Sequence, residues 1–311
     1  MVQALLQGGE YRKALAFAIL TAHEHADSRG AQALQAWLEF LGGQRQVALQ
    51  GLEVALRATP HHPALRDVEA RIRAVDRGAP YSPASPKSLA LDPHARRWSG
   101  APSALRGRAS GVLVDGGTRV LTSAPDLASA GGGLWVRNAL GQLRPAVVER
   151  SERLTGVAVL KLAEPLEHAA GSGTGDMARA FPGSPCYVVE YPAPGMDRPS
   201  WPVLSVGFLG RAGQDAGMAE LSIDLPPGPR GGAVLDRGGR LVGLVLPTAG
   251  RPGTAGRSAL PAHAALAPAL QSLLSKGGGA PVQENGPSPR MPLGEVYEKA
   301  LSSVVTVMSA R

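Results

Sequence analysis

Short runs of Val and Leu, separated by turns rich in Gly and Pro, fill the chain from residue 105 to residue 250. Such runs are too short for ordinary helices, and β-branched residues bounded by Gly and Pro are typical of strands. The pattern therefore predicts an all-β unit over residues 105–275, closed by a helix at residues 262–274. Residues 77–104 before it are rich in Pro, Ser, Ala and Gly, and we expect a linker there.

Six segments of this β unit carry short motifs, and the order of these motifs along the chain is informative. The most informative contains Arg230 followed by the paired glycines Gly231 and Gly232. In chain order the segments read ASGVLVDGGTRVLTSAPDL (109–127), GVAVLKL (156–162), VVEYP (188–192), LSVGFLG (204–210), DLPPGPRGGAVLDRGGRLVGLVL (224–246) and SALPAHAALAPALQSLL (258–274). No single motif is specific, but their order is hard to obtain by chance.

In this order the segments resemble the trypsin-like peptidase domain of the HtrA type, roughly over residues 105 to 275. The resemblance implies the trypsin fold, a double β-barrel. Catalysis in that family needs a Ser nucleophile, a His base and an Asp that orients the His. At the matching positions this chain has Arg230, Pro125 and Gly156. Because a guanidinium stays protonated and has no lone pair for attack, the resemblance implies a pseudo-peptidase, not an enzyme.

Three roles are open for Arg230 within this resemblance. Its side chain fills the remnant cleft, or it binds a partner carboxylate through two hydrogen bonds, or it is a solvated loop residue. Pro229 lacks an N–H and fixes its own φ, so the backbone that would form the oxyanion hole is expected to be reshaped. We predict peptide or partner contact at Arg230, Gly231 and Gly232. Cys186, beside a predicted strand, is expected to be a small buried residue.

Residues 1–76 show helical spacing of apolar residues instead. The segment GGEYRKAL, which begins at Gly8, returns as GGQRQVAL from Gly42, 34 residues later, and this is the tetratricopeptide period. The sequence therefore predicts tetratricopeptide-like antiparallel helical hairpins, with Ala14 and Ala48 at equivalent close-packed positions. A third helix is expected over residues 63–75. We expect Tyr11 and Arg45, at the matching helix starts, to contact a partner.

Two interpretations are open for the last residues of the chain. Residues 276–291 form a second predicted linker, and residues 292–311 resemble the opening helix and strand of an HtrA-type domain. The favoured interpretation is that the tail begins a second trypsin-like domain. The alternative is that it folds back as the strand that completes the barrel, in this chain or in a neighbouring copy. In either case the β-branched run predicts a strand at residues 302–308, paired with a β domain.

Composition excludes several classes of function. The net charge is +7, but the basic residues are dispersed and form no stripe interleaved with aromatic residues, so we expect no nucleic-acid partner. The seven His residues are dispersed too, and neither a metal nor a cofactor is expected. No apolar run is long enough for a membrane helix, and the polar start gives no signal peptide. With a single cysteine, these features predict a cytoplasmic location.

The sequence therefore predicts a non-catalytic, trypsin-fold interaction or regulatory protein with a tetratricopeptide-like arm. In the favoured interpretation of the tail, this chain is the N-terminal part of a longer tandem protease. Its partner would be a protein or peptide bound by the arm and the remnant cleft, and oligomers are possible through the C-terminal strand. The alternative is a serine endopeptidase whose active triad lies in a C-terminal domain missing from this chain.

Overall fold

The computed structural model describes the chain in separate stretches: residues 1–76, 105–128, 133–166, 177–193, 196, 199–212, 217–226, 228–247, 262–275 and 290–310. Both predicted linkers, at residues 77–104 and 276–291, lie almost wholly outside the described residues. The first stretch is helical and is called the arm. Its helices are α1 (Val2–Gln7), α2 (Tyr11–Glu24), α3 (Arg29–Leu41), α4 (Arg45–Ala58) and α5 (Pro63–Asp76).

Small residues let the arm helices approach one another. Ala14 in α2 and Ala48 in α4 are both completely buried, as the repeat predicted. The glycines before the two helices also correspond, because Gly9 and Gly43 both adopt positive φ, which glycine reaches without strain. The predicted helices are therefore confirmed, including the third one at α5. Their identity as tetratricopeptide repeats stays a prediction.

The β unit consists of two closed six-stranded barrels, which confirms the predicted double barrel. Its elements are β1 (Leu105–Val114), β2 (Arg119–Ser123), β3 (Leu134–Arg137), β4 (Leu143–Glu152), β5 (Val157–Leu162), β6 (Pro185–Glu190), β7 (Val203–Ala212), β8 (Met218–Ser222), β9 (Ala233–Leu235), β10 (Leu241–Leu246), β11 (Ala262–Leu266), α6 (Ala267–Ser275), α7 (Leu293–Ser303) and β12 (Val304–Ala310).

The tail closes the first barrel. The strand order is β1-β12-β3-β4-β5-β2, so β12 lies between β1 and β3 and is antiparallel to both. The predicted strand at residues 302–308 is present, two residues later than expected because α7 continues to Ser303. The tail is thus the completing strand, and the favoured interpretation of residues 292–311 as the start of another domain is wrong for this structure. The physical reason is that β1 and β3 would otherwise be open edges with unpaired backbone groups.

The second barrel has the order β10-β11-β8-β7-β6-β9. One sequence prediction is corrected here, because residues 262–274 are not one helix: Ala262–Leu266 is strand β11, and the helix begins at Ala267. Strand β11 pairs with β8 on one side and β10 on the other, and without it the barrel would stay open. Tertiary pairing therefore overrides the helix propensity of its alanines.

Helix α7 connects the arm to the barrels. The backbone N–H of Arg12 in α2 donates to Glu298 Oε1 at 2.8 Å, and the Arg12 guanidinium lies 5.5 Å from the centre of the Tyr297 ring. Tyr297 packs against both the core of the arm and the core between the barrels. On the opposite side, Met291 donates its backbone N–H to Arg237 O at 2.9 Å. The arm is therefore held against the same segment that closes the first barrel.

Two smaller expectations can be compared with the fold. Cys186 lies in β6 and is 1% exposed, which confirms the predicted buried residue. Within the stretches that the structure describes, no helix combines the length and the apolar character needed to cross a membrane.

Candidate functional site

The three positions predicted to replace the triad come together between the barrels. Pro125 begins a short 3-10 turn directly after β2, and Gly156 lies in the turn before β5. The N–H of Ala124 donates to Gly156 O at 2.8 Å, which joins these two segments. Arg230 belongs to the loop before β9 of the second barrel, and its N–H donates to the Asp126 carboxylate at 3.1 Å. Segments that are distant in the chain therefore meet at this place in the fold.

The glycines after Arg230 are required by close backbone packing. Gly231 has φ +105, and a Cβ there would lie 2.2 Å from Ser110 O. At Gly232 a Cβ would lie 2.4 Å from the Cβ of Glu190. The loop is fixed on both sides, because Gly231 N–H donates to Val245 O at 2.9 Å and Ser110 N–H donates to Arg230 O at 2.9 Å. The paired glycines therefore hold the backbone at residue 230 in one position.

The Arg230 side chain forms a buried ion pair. Its Nη1 lies 2.6 Å from Glu190 Oε1, and the two side chains are only 14% and 4% exposed. The same nitrogen donates to Pro226 O at 2.9 Å. Charge-assisted hydrogen bonds of this kind are the stronger ones in proteins. Of the three roles left open by the sequence, that of a solvated loop residue is excluded, because the Arg230 side chain is bound to groups of the same chain.

The Glu190 carboxyl has a raised pKa that lies close to neutral pH. Burial raises the pKa of its carboxyl from 4.5 to about 7, although the adjacent Arg230 lowers that pKa and Asp126 raises it slightly further. Its second oxygen, Oε2, is buried and has no hydrogen-bond partner in the part of the chain that the structure describes. Removing a carboxylate from water is therefore a larger effect here than attraction to one guanidinium.

The backbone N–H of Arg230 already has a hydrogen-bond acceptor within the chain. In the trypsin-type triad, the N–H of the nucleophile contributes to the hole that holds the oxyanion. Here that N–H already donates to Asp126 Oδ2. The neighbouring Pro229 has no N–H that could donate. Gly228 has φ +151, and a Cβ added there would lie 2.6 Å from the Ala193 side chain. An incoming oxyanion would have to displace the Asp126 carboxylate.

The two arm residues predicted to contact a partner behave differently. Tyr11 is 1% exposed and packs in the core of the arm, so the prediction that it offers a contact surface is wrong. Its ring is needed to fill the space between α2 and its neighbours. Arg45 begins α4 and is partly buried. Neither residue lies in the site around Arg230.

Sequence reasoning missed Asp126 and Glu190. A signal existed for Glu190, because it stands where the HtrA-type strand has a glycine, but a single sequence does not show that its partner is Arg230. Asp126 follows Pro125 directly, and only the 3-10 turn shows that it reaches across to the second barrel. Among the described residues, no cluster of three or more His, Cys, Asp or Glu side chains is arranged to hold a metal ion.

Comparison with known proteins agrees with this geometry. Residues 109–244 match the family model described as "Trypsin-like peptidase domain", a stretch somewhat shorter than half of the chain. No curated protein matches the chain. The predicted trypsin-like fold is confirmed by this match and by the two barrels.

Solved structures with similar folds include two peptidase-type proteins. The MamO protease domain from Magnetospirillum magneticum is 18% identical with a TM-score of 0.43, over 57% of this chain and 98% of that one. The HtrA-type protease AlgW, solved with a decapeptide, is 20% identical with a TM-score of 0.43, over 59% of this chain and 57% of that one. This chain therefore spans little more than half the length of AlgW.

Proposed function

We propose that this protein is a non-catalytic interaction or regulatory protein, in which a trypsin-like domain and a helical arm bind a protein or peptide partner. The observation that carries the proposal is the state of Arg230. Its side chain is bound to Glu190 and its N–H to Asp126, so the place of a nucleophile is taken by groups of the chain itself.

The chemistry of the remaining groups supports loss of catalysis. Acyl transfer needs a nucleophile and a base that takes its proton. The pyrrolidine ring of Pro125 carries no basic group, and Gly156 has no side chain to orient one. Ser123, which lies two residues before Pro125, is completely buried and its hydroxyl has no partner in the described residues. The carboxyls near Arg230, those of Glu190 and Asp126, are bound to the Arg230 side chain and to the Arg230 N–H, so both serve to hold Arg230 in place.

The arm supports the interaction role by its exposed apolar residues. Phe17 and Leu20 lie one turn apart on α2 and are 41% and 52% exposed. The corresponding positions on α4, 34 residues later, are Gly51 and Val54, and Val54 is 66% exposed. Val47, one turn before Gly51, is also exposed. Equivalent faces of two helices thus present apolar side chains to solvent, as expected of a surface that a partner covers.

The alternative drawn from the sequence was a serine endopeptidase with its triad in a further domain. The resemblance of the tail to the opening of an HtrA-type domain was the sequence feature that pointed to such a domain. In this structure the tail belongs to the first barrel, so no observation on the described residues favours it.

A peptide-display selection on the purified full chain tests the proposal. We expect enriched peptides whose binding is weakened at least tenfold by the double substitution Leu20→Glu and Val54→Glu. The matched control is Glu53→Gln, which lies beside Val54 on α4 and is also exposed. If no peptide is enriched, or if binding is insensitive to both apolar substitutions and to Arg230→Ser, the proposed surfaces are wrong.

A further inference from the structure

Most phenylalanines of this chain are exposed to solvent. Of its four Phe residues only Phe40 is buried, whereas Phe17, Phe181 and Phe208 are 41%, 71% and 53% exposed. Phe17 belongs to the arm surface described above. Phe181 and Phe208 both belong to the second barrel, although large aromatic side chains are the ones whose burial stabilises a fold most. Exposed apolar surface of this kind marks a site of contact.

The strand register places Phe208 in an apolar face of the second barrel. Phe208 of β7 is opposite Pro185 of β6, and Val206, two residues earlier, is opposite Tyr187. Directly paired residues, and residues two apart in one strand, project from the same face of a sheet. Val206 is 61% exposed, and Pro185 and Tyr187 are partly buried. We call these four residues the outer face.

The turn before β6 adds a second aromatic ring at one end of the outer face. Ser184 donates its N–H to Phe181 O at 2.9 Å, which closes the turn. Gly183 N–H donates to Leu209 O and Leu209 N–H donates to Ser184 O, both at 2.8 Å. The turn is therefore bonded to the residue that follows Phe208, so Phe181 lies beside the outer face.

An acidic residue borders the outer face on one side of Phe208. Ser222 of β8 is opposite Phe208, because β8 is antiparallel to β7. The next residue, Ile223, keeps this alignment, since a Cβ on Gly207 would lie 2.3 Å from Ile223 Cγ1. Asp224 is exposed and therefore lies two residues from the level of Phe208, toward the start of β7.

A basic residue borders the outer face on the other side. Arg211 is exposed and lies three residues beyond Phe208, near the end of β7. Within the residues that the structure describes, neither Arg211 nor Asp224 forms a hydrogen bond or an ion pair. Opposite charges therefore stand at nearly equal distances along the strand on the two sides of Phe208.

This arrangement is complementary to itself. In a two-fold contact both copies use the same surface, and each residue meets its counterpart in reverse order. A two-fold axis that crosses β7 beside Phe208 brings two β7 strands together face to face and antiparallel. The Phe208 rings of the two copies then meet at the axis. Arg211 of each copy lies over Asp224 of the other, so the charges at the border are paired as well.

We propose that the outer face is the interface of a homodimer, in which two copies of this chain pack β7 against β7 about a two-fold axis beside Phe208. The contact covers on the order of a few hundred Å² per copy, whereas long-lived complexes bury about 800 Å² per partner. The dimer is therefore weak and reversible. The outer face is distinct from the arm surface and from the cleft around Arg230, so this inference does not depend on the function proposed for them.

Sedimentation velocity of the full chain tests the dimer. We expect a monomer at low micromolar concentration and a dimer toward submillimolar concentration. Phe208→Asp should raise the Kd of the dimer about tenfold or more, because it removes both central rings and places two carboxylates at the axis. Val147→Asp is the matched control, since Val147 lies in β4 of the first barrel and is 64% exposed. It should leave the Kd unchanged, and thermal unfolding of both variants checks that they are folded.

Exchange of the border charges tests the two-fold arrangement. Arg211→Asp alone or Asp224→Arg alone places like charges opposite each other at both ends of the contact, and each should raise the Kd about fivefold. Both substitutions in one chain restore the pairs with inverted signs. The double variant should therefore regain the Kd of the wild type. A contact with an unrelated protein would not be restored in this way.

Three results would overturn the proposal. A chain that stays monomeric at submillimolar concentration would leave the outer face to a different protein. A dimer that Phe208→Asp does not weaken would use another surface. A double charge variant that remains as weak as the single variants would show that Arg211 and Asp224 do not meet across a two-fold axis.

Discussion

The substitution Glu190→Gln tests the balance of forces in the buried ion pair. Burial raises the pKa of this carboxyl from 4.5 to about 7 in the folded protein, in spite of the guanidinium of Arg230 at 2.6 Å. Between these two values the folded state binds more protons than the unfolded state. The free energy of unfolding therefore falls as pH rises from 4.5 to 7, and the loss is complete above pH 7.

The magnitude follows from the two pKa values. Their difference, 7 − 4.5 = 2.5, corresponds to about 3 kcal/mol at about 1.4 kcal/mol for each pH unit. Glutamine has the shape of the protonated carboxyl but cannot ionise. We therefore expect Glu190→Gln to be as stable as the wild type near pH 4.5 and more stable by about 3 kcal/mol at pH 8.

Urea unfolding of both proteins at several pH values between 4.5 and 8 measures the difference. Glu149→Gln is the matched control with the opposite sign, because the hydrogen bonds from Arg119 lower the pKa of the Glu149 carboxyl. The stability that this pair contributes is present above the unfolded pKa and is lost as pH falls, so the control should be less stable than the wild type at pH 8. If Glu190→Gln is destabilising at pH 8, attraction to Arg230 exceeds the cost of burial and the reasoning is refuted.

Three further predictions concern the fold. Ala48→Arg should destabilise the protein by about 3 kcal/mol or more, because Ala48 is completely buried, whereas Val54→Arg at an exposed position of the same helix should change the thermal midpoint little. Gly231→Ala should lower the thermal midpoint strongly, since its Cβ would lie 2.2 Å from Ser110 O. Gly51→Ala is the control, because a Cβ there meets nothing within 4 Å, and it should raise the free energy of unfolding by about 0.5 to 1 kcal/mol. Deleting residues 292–310 should reduce solubility and the unfolding midpoint, because β1 and β3 lose the strand between them; an unchanged midpoint would show that β12 is dispensable.

The sequence predicted the parts of this protein that depend on local pattern. The order of the Gly-containing motifs carried the resemblance that implied the two barrels. It also placed Arg230 with Gly231 and Gly232, because close backbone packing leaves room only for glycine there. The repeat of Ala14 at Ala48 identified positions where helices approach closely. These features leave a trace in the sequence because they restrict residue type at fixed spacing.

Other parts depend on contacts between distant segments. The strand at residues 262–266 reads as helix from its alanines, and only the need for a sixth strand in the barrel decides otherwise. Tyr11 looked accessible because a helix start gives no information on what covers it, but neighbouring helices bury its ring. The pairing of Glu190 with Arg230, and of Asp126 with the Arg230 backbone, joins residues 40 and 104 positions apart, and such pairs have no local signature.

The central claim is that the trypsin-like domain does no acyl-enzyme chemistry. The most direct measurement is labelling of the purified chain with a fluorophosphonate probe, quantified by intact-mass spectrometry beside trypsin under the same conditions. Because Arg230 occupies the nucleophile position and its N–H is bound to Asp126, we predict no adduct on this chain while trypsin is fully labelled. One probe molecule bound per chain on any serine would contradict the account.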